Sequence, residues 1–573
     1  MSTSTYRAPI FTNGYEHTQG SGYALPEYPF EVPPELQGQP SPLHPVVVVG
    51  GGITGLTMAC SLAVHGVPVV LVDEDNTVGV KGASSRGICY TQKSLEILDR
   101  LGVFQPIAHK GIEWHVGRTF AGDDEVFSFD LKQQQGFSQS QQPSFINIQQ
   151  FYIEGYLVER LMALKDAGAA VDLRWCSRVV ACKPQSDRVS LDIDTPQGRY
   201  SLDAQWVVDA SGSHTPFHQW LGVEMKGERG DDRWCIADVR FKHTPPTERH
   251  TWIQAPFNEN RAVWQHLMGD EVWRIDYQMA PDADPAEVSK ESVVRERLAR
   301  QFGPGVDCDI IWVGPYAYRS VYLDQLQVGR VFFMGDTAKI VSPFGARGGN
   351  TGIADADNLA WKLAAVVQGR APASLLASYH QERHQAAEQN IRVTRRTAHF
   401  LRPQDGMERV FRSATIALAK RHAFARPLIN TGRMAEANRY TRSGICEPSG
   451  GVSMPNVSLR WVNGQSGHWH ELMGWAQGRL LLLVFGAISA SEAQRLQALG
   501  TSADVRVVQV VATASATQAR EAIVDAQGQL QAAAQATGMR WALTRPDAYV
   551  AATGKQVDGQ LVKAVAKAMA LMP

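Results

Sequence analysis

The sequence predicts an α/β fold in three parts: a dinucleotide-binding domain on a parallel sheet, an antiparallel sheet inserted into it, and a small α/β unit at the C-terminal end. Three observations predict it. A β-α-β pattern runs from Val46 to Val72 and implies a parallel sheet with helices on its faces. Residues 226–318 alternate apolar and polar side chains, as in RAVWQHLMGDEVWRIDYQM, the period-two mark of antiparallel strands. Beyond Gly450 the strand-like runs RLLLLVF and VRVVQVV stand on either side of the helix-like ASEAQRLQAL, which marks a separate unit.

Taken in order, residues 1–44 are rich in Pro, Gly, Ser and Tyr without periodicity and read as an extended N-terminal arm. Tyr6, Phe11, Tyr15, Tyr23, Tyr28 and Phe30 give it apolar anchors, with simple disorder as the alternative. The dinucleotide domain is expected over 45–225 and again over 319–449, where runs such as DADNLAWKLAAVVQG turn helical. Between them lies the inserted sheet of 226–318, and 450–573 form the last unit.

A chain of 573 residues calls for two or three domains. Its net charge of -1 offers no basic field, so no nucleic-acid partner is expected and a small molecule is the better candidate. The seven cysteines stand singly, with no CxxC and no Cys/His cluster, so neither a disulfide framework nor a metal site is expected. The first residues hold no apolar signal core, and the longest aliphatic run, Leu480 to Phe485, is far too short to span a bilayer. The expectation is a cytoplasmic protein with no membrane partner.

The first motif is Gly50-Gly51-Gly52-Ile53-Thr54-Gly55, a GxGxxG between a strand and a helix. Gly50 permits the tight turn, Gly52 admits a pyrophosphate to the backbone, and Gly55 lets helix and strand pack closely. Ile53 and Thr54 open the helix, whose free N–H groups and dipole favour anions. Asp73 ends the second strand where an acid can bind ribose hydroxyls, with Glu74 the adjacent alternative.

The second motif reads GRVFFMGDTAKIVSPFGARGGNTGIADADNLAWKLA. It resembles the second FAD motif of the class A flavoprotein aromatic hydroxylases, the family of p-hydroxybenzoate hydroxylase and phenol hydroxylase, in the branch of 3-(3-hydroxyphenyl)propionate hydroxylase. The resemblance covers roughly residues 45–400. It implies a Rossmann-like FAD-binding domain of the GR2 type with an inserted substrate sheet, and a thioredoxin-like C-terminal domain. It places Gly335 and Asp336 at the ribityl chain, and Pro343 and Gly345 in a loop beside the isoalloxazine. Gly348, Gly349, Asn350 and Thr351 fall at a helix start, read at Asn350, aimed at the flavin pyrimidine edge. Arg86 in ASSRGICYTQ and Gln150 in NIQQFYIEGYL match flavin-contacting positions. Arg347, a basic residue near the flavin, is expected to stabilise the reduced anion.

Two departures from the pattern stand out. WVVDASGSHTPF has Ser211 at the usual aspartate place with Asp209 two residues earlier, and Lys339 replaces a usual histidine. The chemistry the resemblance implies is reduction of FAD by transient NAD(P)H, followed by O2 addition to give a C4a-hydroperoxide that hydroxylates a small aromatic substrate. Candidates to orient that substrate and assist its deprotonation are His266, Arg274, Asp276, Tyr277, Tyr316 and Tyr318 on the middle sheet, with His115 earlier. An arginine beside a tyrosine suits a phenolic or carboxylic acid. Cys446 is the last cysteine, so the final domain lacks a dithiol and is left a packing or homodimer role. The competing readings are a flavin-dependent halogenase or reductase, suggested by DASG at 209–212, and a non-enzymatic flavin-binding protein. The halogenases' WxWxIP element is missing from the sequence.

Overall fold

The computed structural model describes residues 23, 25–79, 87–134, 140–228, 233–243, 245, 247–317, 319–403, 405–431, 434–502, 504–514, 521–525 and 527–571. Arg86, Tyr318 and the arm's Tyr6, Phe11 and Tyr15 lie outside the described residues.

The first strand, Leu43–Val49, is the centre of the dinucleotide-type domain because its four valines are buried on both faces, as a parallel sheet covered by helices requires. It pairs in parallel with Val69–Val72 on one side and Gly198–Asp209 on the other, with Val47 level with both Val70 and Val207. Val171–Arg174 and Val331–Phe333 extend the sheet in parallel at the two flanks. Across its faces pack the helices Ile53–Val64, Gln150–Asp166 and Gly348–Val367.

The inserted sheet has seven strands, ordered Cys308–Ala317, Arg233–Phe241, Val272–Gln278, Arg261–Leu267, Arg249–Ala255, Val116–Ala121 and Asp124–Asp130. The last two come from far upstream, so the sheet is not confined to 226–318 as the sequence reading has it. Period two alone could not reveal this, because the upstream hairpin joins by a parallel pairing with Arg249–Ala255. Alternation gives the sheet two faces. Cys235, Ala237, Val263, Trp273, Ile275 and Tyr277 pack with the helix Glu291–Phe302. On the other face Trp234, Ile253, Ala262 and Trp264 meet Phe344 and the helix Gly406–Arg421.

The C-terminal sheet runs Leu480–Phe485, Val505–Val511 and Ala522–Asp525 in parallel, with Trp541–Thr544 antiparallel beside Leu480–Phe485 and Val550–Gly554 antiparallel beside Trp541–Thr544. One face is not self-contained: Leu480, Leu482 and Val484 share a core with Trp361, Ala365 and Leu375 of the first domain. At the other end of the chain, the arm lies on the first domain. Tyr28 stacks on Trp175 at 4.6 Å, and Arg174 bonds Glu35 at 3.0 Å. Among the described residues no helix is long and apolar enough to cross a membrane.

Candidate active site

The glycines of the first motif are there for contact. Gly50 sits at φ 106°, where a Cβ would come 2.5 Å from the Ala210 carbonyl oxygen; one on Gly55 would come 1.9 Å from the Gly50 oxygen. Gly52 differs, since a Cβ there would meet nothing nearer than 3.8 Å. It is the N-cap of the Ile53–Val64 helix and has no side chain to cap it, although the Ile53 N–H meets Glu154 at 2.9 Å. Asp73 takes N–H bonds from Gly51 and Asp75, and burial pushes its carboxyl up to about 7 against those donors. Glu74 is half-buried beside it.

Thr54 joins the two motifs. Its Oγ1 lies where a Cβ on Gly335 would approach to 2.7 Å and one on Gly352 to 2.1 Å, so the second motif packs directly onto the first helix. Asp336, one residue past Gly335, is exposed at the end of the strand Val331–Phe333. Behind it is a residue that sequence reasoning missed. Asp355 accepts from the Gly335 N–H at 3.0 Å and from Arg383 at 2.6 Å, and it pairs with Lys339, all fully buried. Lys339 thus stands in place of a histidine as the counter-ion that fixes the motif's turn. Asp209 plays a similar part nearby: buried, it accepts from the Ser211 N–H and hydroxyl and from Thr215 at 2.7 Å.

The loop after Ser342 turns through Gly345 at φ 79° and Ala346 at φ 60°, with the Ala346 N–H on the Pro343 carbonyl at 2.9 Å. The helix that follows starts at Gly348, not at Asn350, and no side chain caps it. A Cβ on Gly348 would meet nothing within 4 Å, and one on Gly349 only Tyr90 at 4.0 Å. Asn350 does not close this start, because its side chain is engaged elsewhere. It accepts from the Thr91 N–H at 2.9 Å and donates to Cys89 and Ala346 carbonyls at 2.8 Å, clamping the loop to the strand Cys89–Thr91. Thr351 accepts from Arg383 at 3.0 Å. Gln150 accepts from the Gly87 N–H at 3.2 Å and donates to Glu154, which itself takes the Ile53 and Gly79 N–H groups. Arg347 is buried, donating to Asn390 at 2.8 Å.

This donor set fits FAD. Two uncapped helix starts opened by glycine suit anionic groups, and two acids at strand ends, Asp73 and Asp336, suit hydroxyls.

The inserted sheet turns its tryptophan face to this loop, with Trp264 5.1 Å and Trp234 6.4 Å from the Phe344 ring. His266, Arg274 and Asp276 share that face. Arg274 donates to Asp238 at 3.2 Å, and Tyr23 of the arm also reaches Asp238, at 3.4 Å. Burial pushes Asp276 up to about 7, while burial together with Arg249 and Arg274 holds His266 well below the ordinary range, hence neutral. Tyr277 is corrected: it points to the opposite face, bonding Gln301 at 2.8 Å within the second core, because its neighbour Asp276 takes the site side. Tyr316 is exposed, and His115 pairs with Asp130 at 2.8 Å. Arg249, which sequence reasoning passed over, is buried on the site face between Trp114 and Trp264.

Among known proteins, the family model described as "FAD binding domain" matches residues 44–394, and one described as "HcaD C-terminal domain" matches 462–568. A flavin-dependent monooxygenase of Mycobacteroides abscessus is 30% identical over 59% of this chain and 70% of its own. A 3-(3-hydroxy-phenyl)propionate/3-hydroxycinnamic acid hydroxylase of Burkholderia vietnamiensis is 25% identical over 92% of this chain and 96% of its own. Among solved structures, the flavin-dependent monooxygenase PieE, in complex with FAD and substrate, superposes with a TM-score of 0.75 at 21% identity, covering 93% of this chain and 100% of its own. Aklavinone-11 hydroxylase gives 0.71 at 20%, covering 93% and 100%. These two likenesses show the shared fold.

Proposed function

The chain belongs to the FAD-binding domain family and is a flavin-dependent aromatic monooxygenase, and from that premise we propose that it hydroxylates a small phenolic or aromatic carboxylic acid with NAD(P)H and O2. One observation supports this most: the loop Pro343–Gly349 meets a buried sheet face that carries both aromatic walls and ionisable groups. A hydroxylated phenylpropionic or cinnamic acid, the kind named for the Burkholderia relative, is the expected substrate class.

Bound FAD supplies electron transfer from the nicotinamide and activation of O2. The chain's residues do the rest. Asp73 and Asp336 would hold hydroxyls of the cofactor, and the start of the Gly348–Val367 helix, with Arg347 behind it, would favour negative charge at the loop. Pro343 and Gly345 shape that loop, and Trp234, Trp264 and Phe344 keep water from the ring being attacked. Asp276, with a carboxyl near neutrality, takes the phenol proton and makes the ring electron-rich; Arg274 and neutral His266 orient it. The cytoplasm is the expected setting.

Phenolic acids added to the FAD-loaded enzyme should accelerate NAD(P)H oxidation and yield a product heavier by one oxygen atom in mass spectrometry. The reading is wrong if no phenolic acid does either.

A further inference from the structure

Resting on the hydroxylase reading, we propose that Arg249 is the carboxylate-binding residue of the substrate pocket, so that the substrate is an aromatic acid lying with its anionic end on the sheet and its ring toward Phe344. The argument starts from a contrast among buried arginines. Arg174, Arg274, Arg383 and Arg545 are each 5% exposed or less and each faces at least one carboxylate. Arg249, 4% exposed, makes no ion pair among the described residues. Its Nη1 reaches only the Met434 sulfur at 3.5 Å, a weak acceptor, and its Nε has no hydrogen-bond partner.

A guanidinium removed from water without an anion is costly, and burial pulls Arg249 below its ordinary range accordingly. Two indoles offset part of that cost: the cation lies 5.4 Å from the Trp264 ring and 5.9 Å from Trp114. Asp276 is the carboxylate whose charge acts on it, after the Cys89 thiol, yet no ion pair joins them. The unused donors form a fork that matches a carboxylate's two oxygens.

Position completes the case. Trp264 packs on Phe344, and Trp114 and Met434 share a cluster with Ala346, so the side chains around the arginine are the ones that meet the cofactor loop. Arg274, the sequence candidate for an anion anchor, is already neutralised by Asp238.

The test uses the full-length FAD-loaded enzyme. Titrations of 3-hydroxybenzoate, 3-hydroxyphenylacetate, 3-(3-hydroxyphenyl)propionate and 3-hydroxycinnamate, and of their primary amides, are followed by flavin absorbance. In the wild type at least one acid should bind about 10- to 100-fold tighter than its amide. Arg249→Met should lose that preference with its FAD content unchanged, and Arg249→Lys should keep part of it. Ligand-free Arg249→Met should also melt at the same or a higher temperature, because an uncompensated charge has been removed. Equal binding of every acid and its amide by the wild type overturns the assignment. So does an acid preference that survives in Arg249→Met, most plainly if that variant melts lower, as a structural arginine would. Should Arg249→Met not fold, the acid–amide comparison and Arg249→Lys still decide. Arginine-dependent binding without oxygen insertion defeats the hydroxylase reading alone; oxygen insertion indifferent to Arg249 defeats this assignment alone.

Discussion

Asp276 is held among Arg274, Asp238 and Arg249, and burial outweighs the arginines to push its carboxyl up to about 7. If it receives the phenol proton, kcat should rise with pH through about 7 and level above it, and Asp276→Asn should abolish that limb and lower kcat by about 100-fold or more. The shift has a stability consequence of opposite sense. A carboxyl raised in the folded state contributes stability that is full below about 4 and is lost as pH rises through about 7. Urea unfolding should therefore show Asp276→Asn gaining on the wild type between pH 5 and pH 8. An acid limb that persists in the variant would remove Asp276 from the chemistry. At this scale the sequence was legible in part. Its alternation puts Arg274 and Asp276 on one face and Tyr277 on the other, but nothing in it says which face meets the cofactor. Arg249 lies in RHTWIQA without a motif, and only three-dimensional proximity shows that it lacks a partner.

The two cofactor helices are locked by one side chain. Thr54 occupies the space that side chains on Gly335 and Gly352 would need, so helices from opposite ends of the domain approach backbone to side chain. Gly352→Ala should destabilise the protein by about 1–3 kcal/mol through overpacking, and Thr54→Ala in the same chain should recover most of the loss. Denaturant midpoints of the two single variants and the double variant measure that coupling; additive losses would mean that the contact does not carry the helix approach. Such elements were readable because glycine spacing encodes close contact. The open start of the Gly348–Val367 helix fell two residues from its expected place, because Asn350 looks like a helix opener yet serves as a clamp to Cys89 and Thr91. The upstream hairpin of the inserted sheet stayed hidden, since its partner strand is more than a hundred residues away.

The C-terminal domain is tied to the rest by charge as well as by Trp361 and its neighbours. Arg545 pairs with Asp547 and with Glu382 of the FAD domain, and Glu382 also meets Lys362 at 2.9 Å, all buried. Burial pulls Lys362 down to about 8, although Glu382 opposes the shift. Arg545→Met should cost about 3–5 kcal/mol, since it leaves Glu382 short of a cation. Calorimetry should show one shifted transition for the whole enzyme. Separate melting of the C-terminal domain at a lower temperature, with the FAD domain unmoved, would contradict that coupling. The sequence marked this domain's existence by its strand runs but not its attachment, because ion pairs between residues 163 apart leave no local pattern. That attachment bears on how the chain is made. During synthesis, Lys362 and Glu382 leave the ribosome with most of the FAD domain, about 160 to 180 residues before Arg545 does. Until then Glu382 has Lys362 but not its second cation, and the Trp361 indole awaits a cover, so the nascent domain passes through a period of incomplete burial that only the last stretch of translation ends.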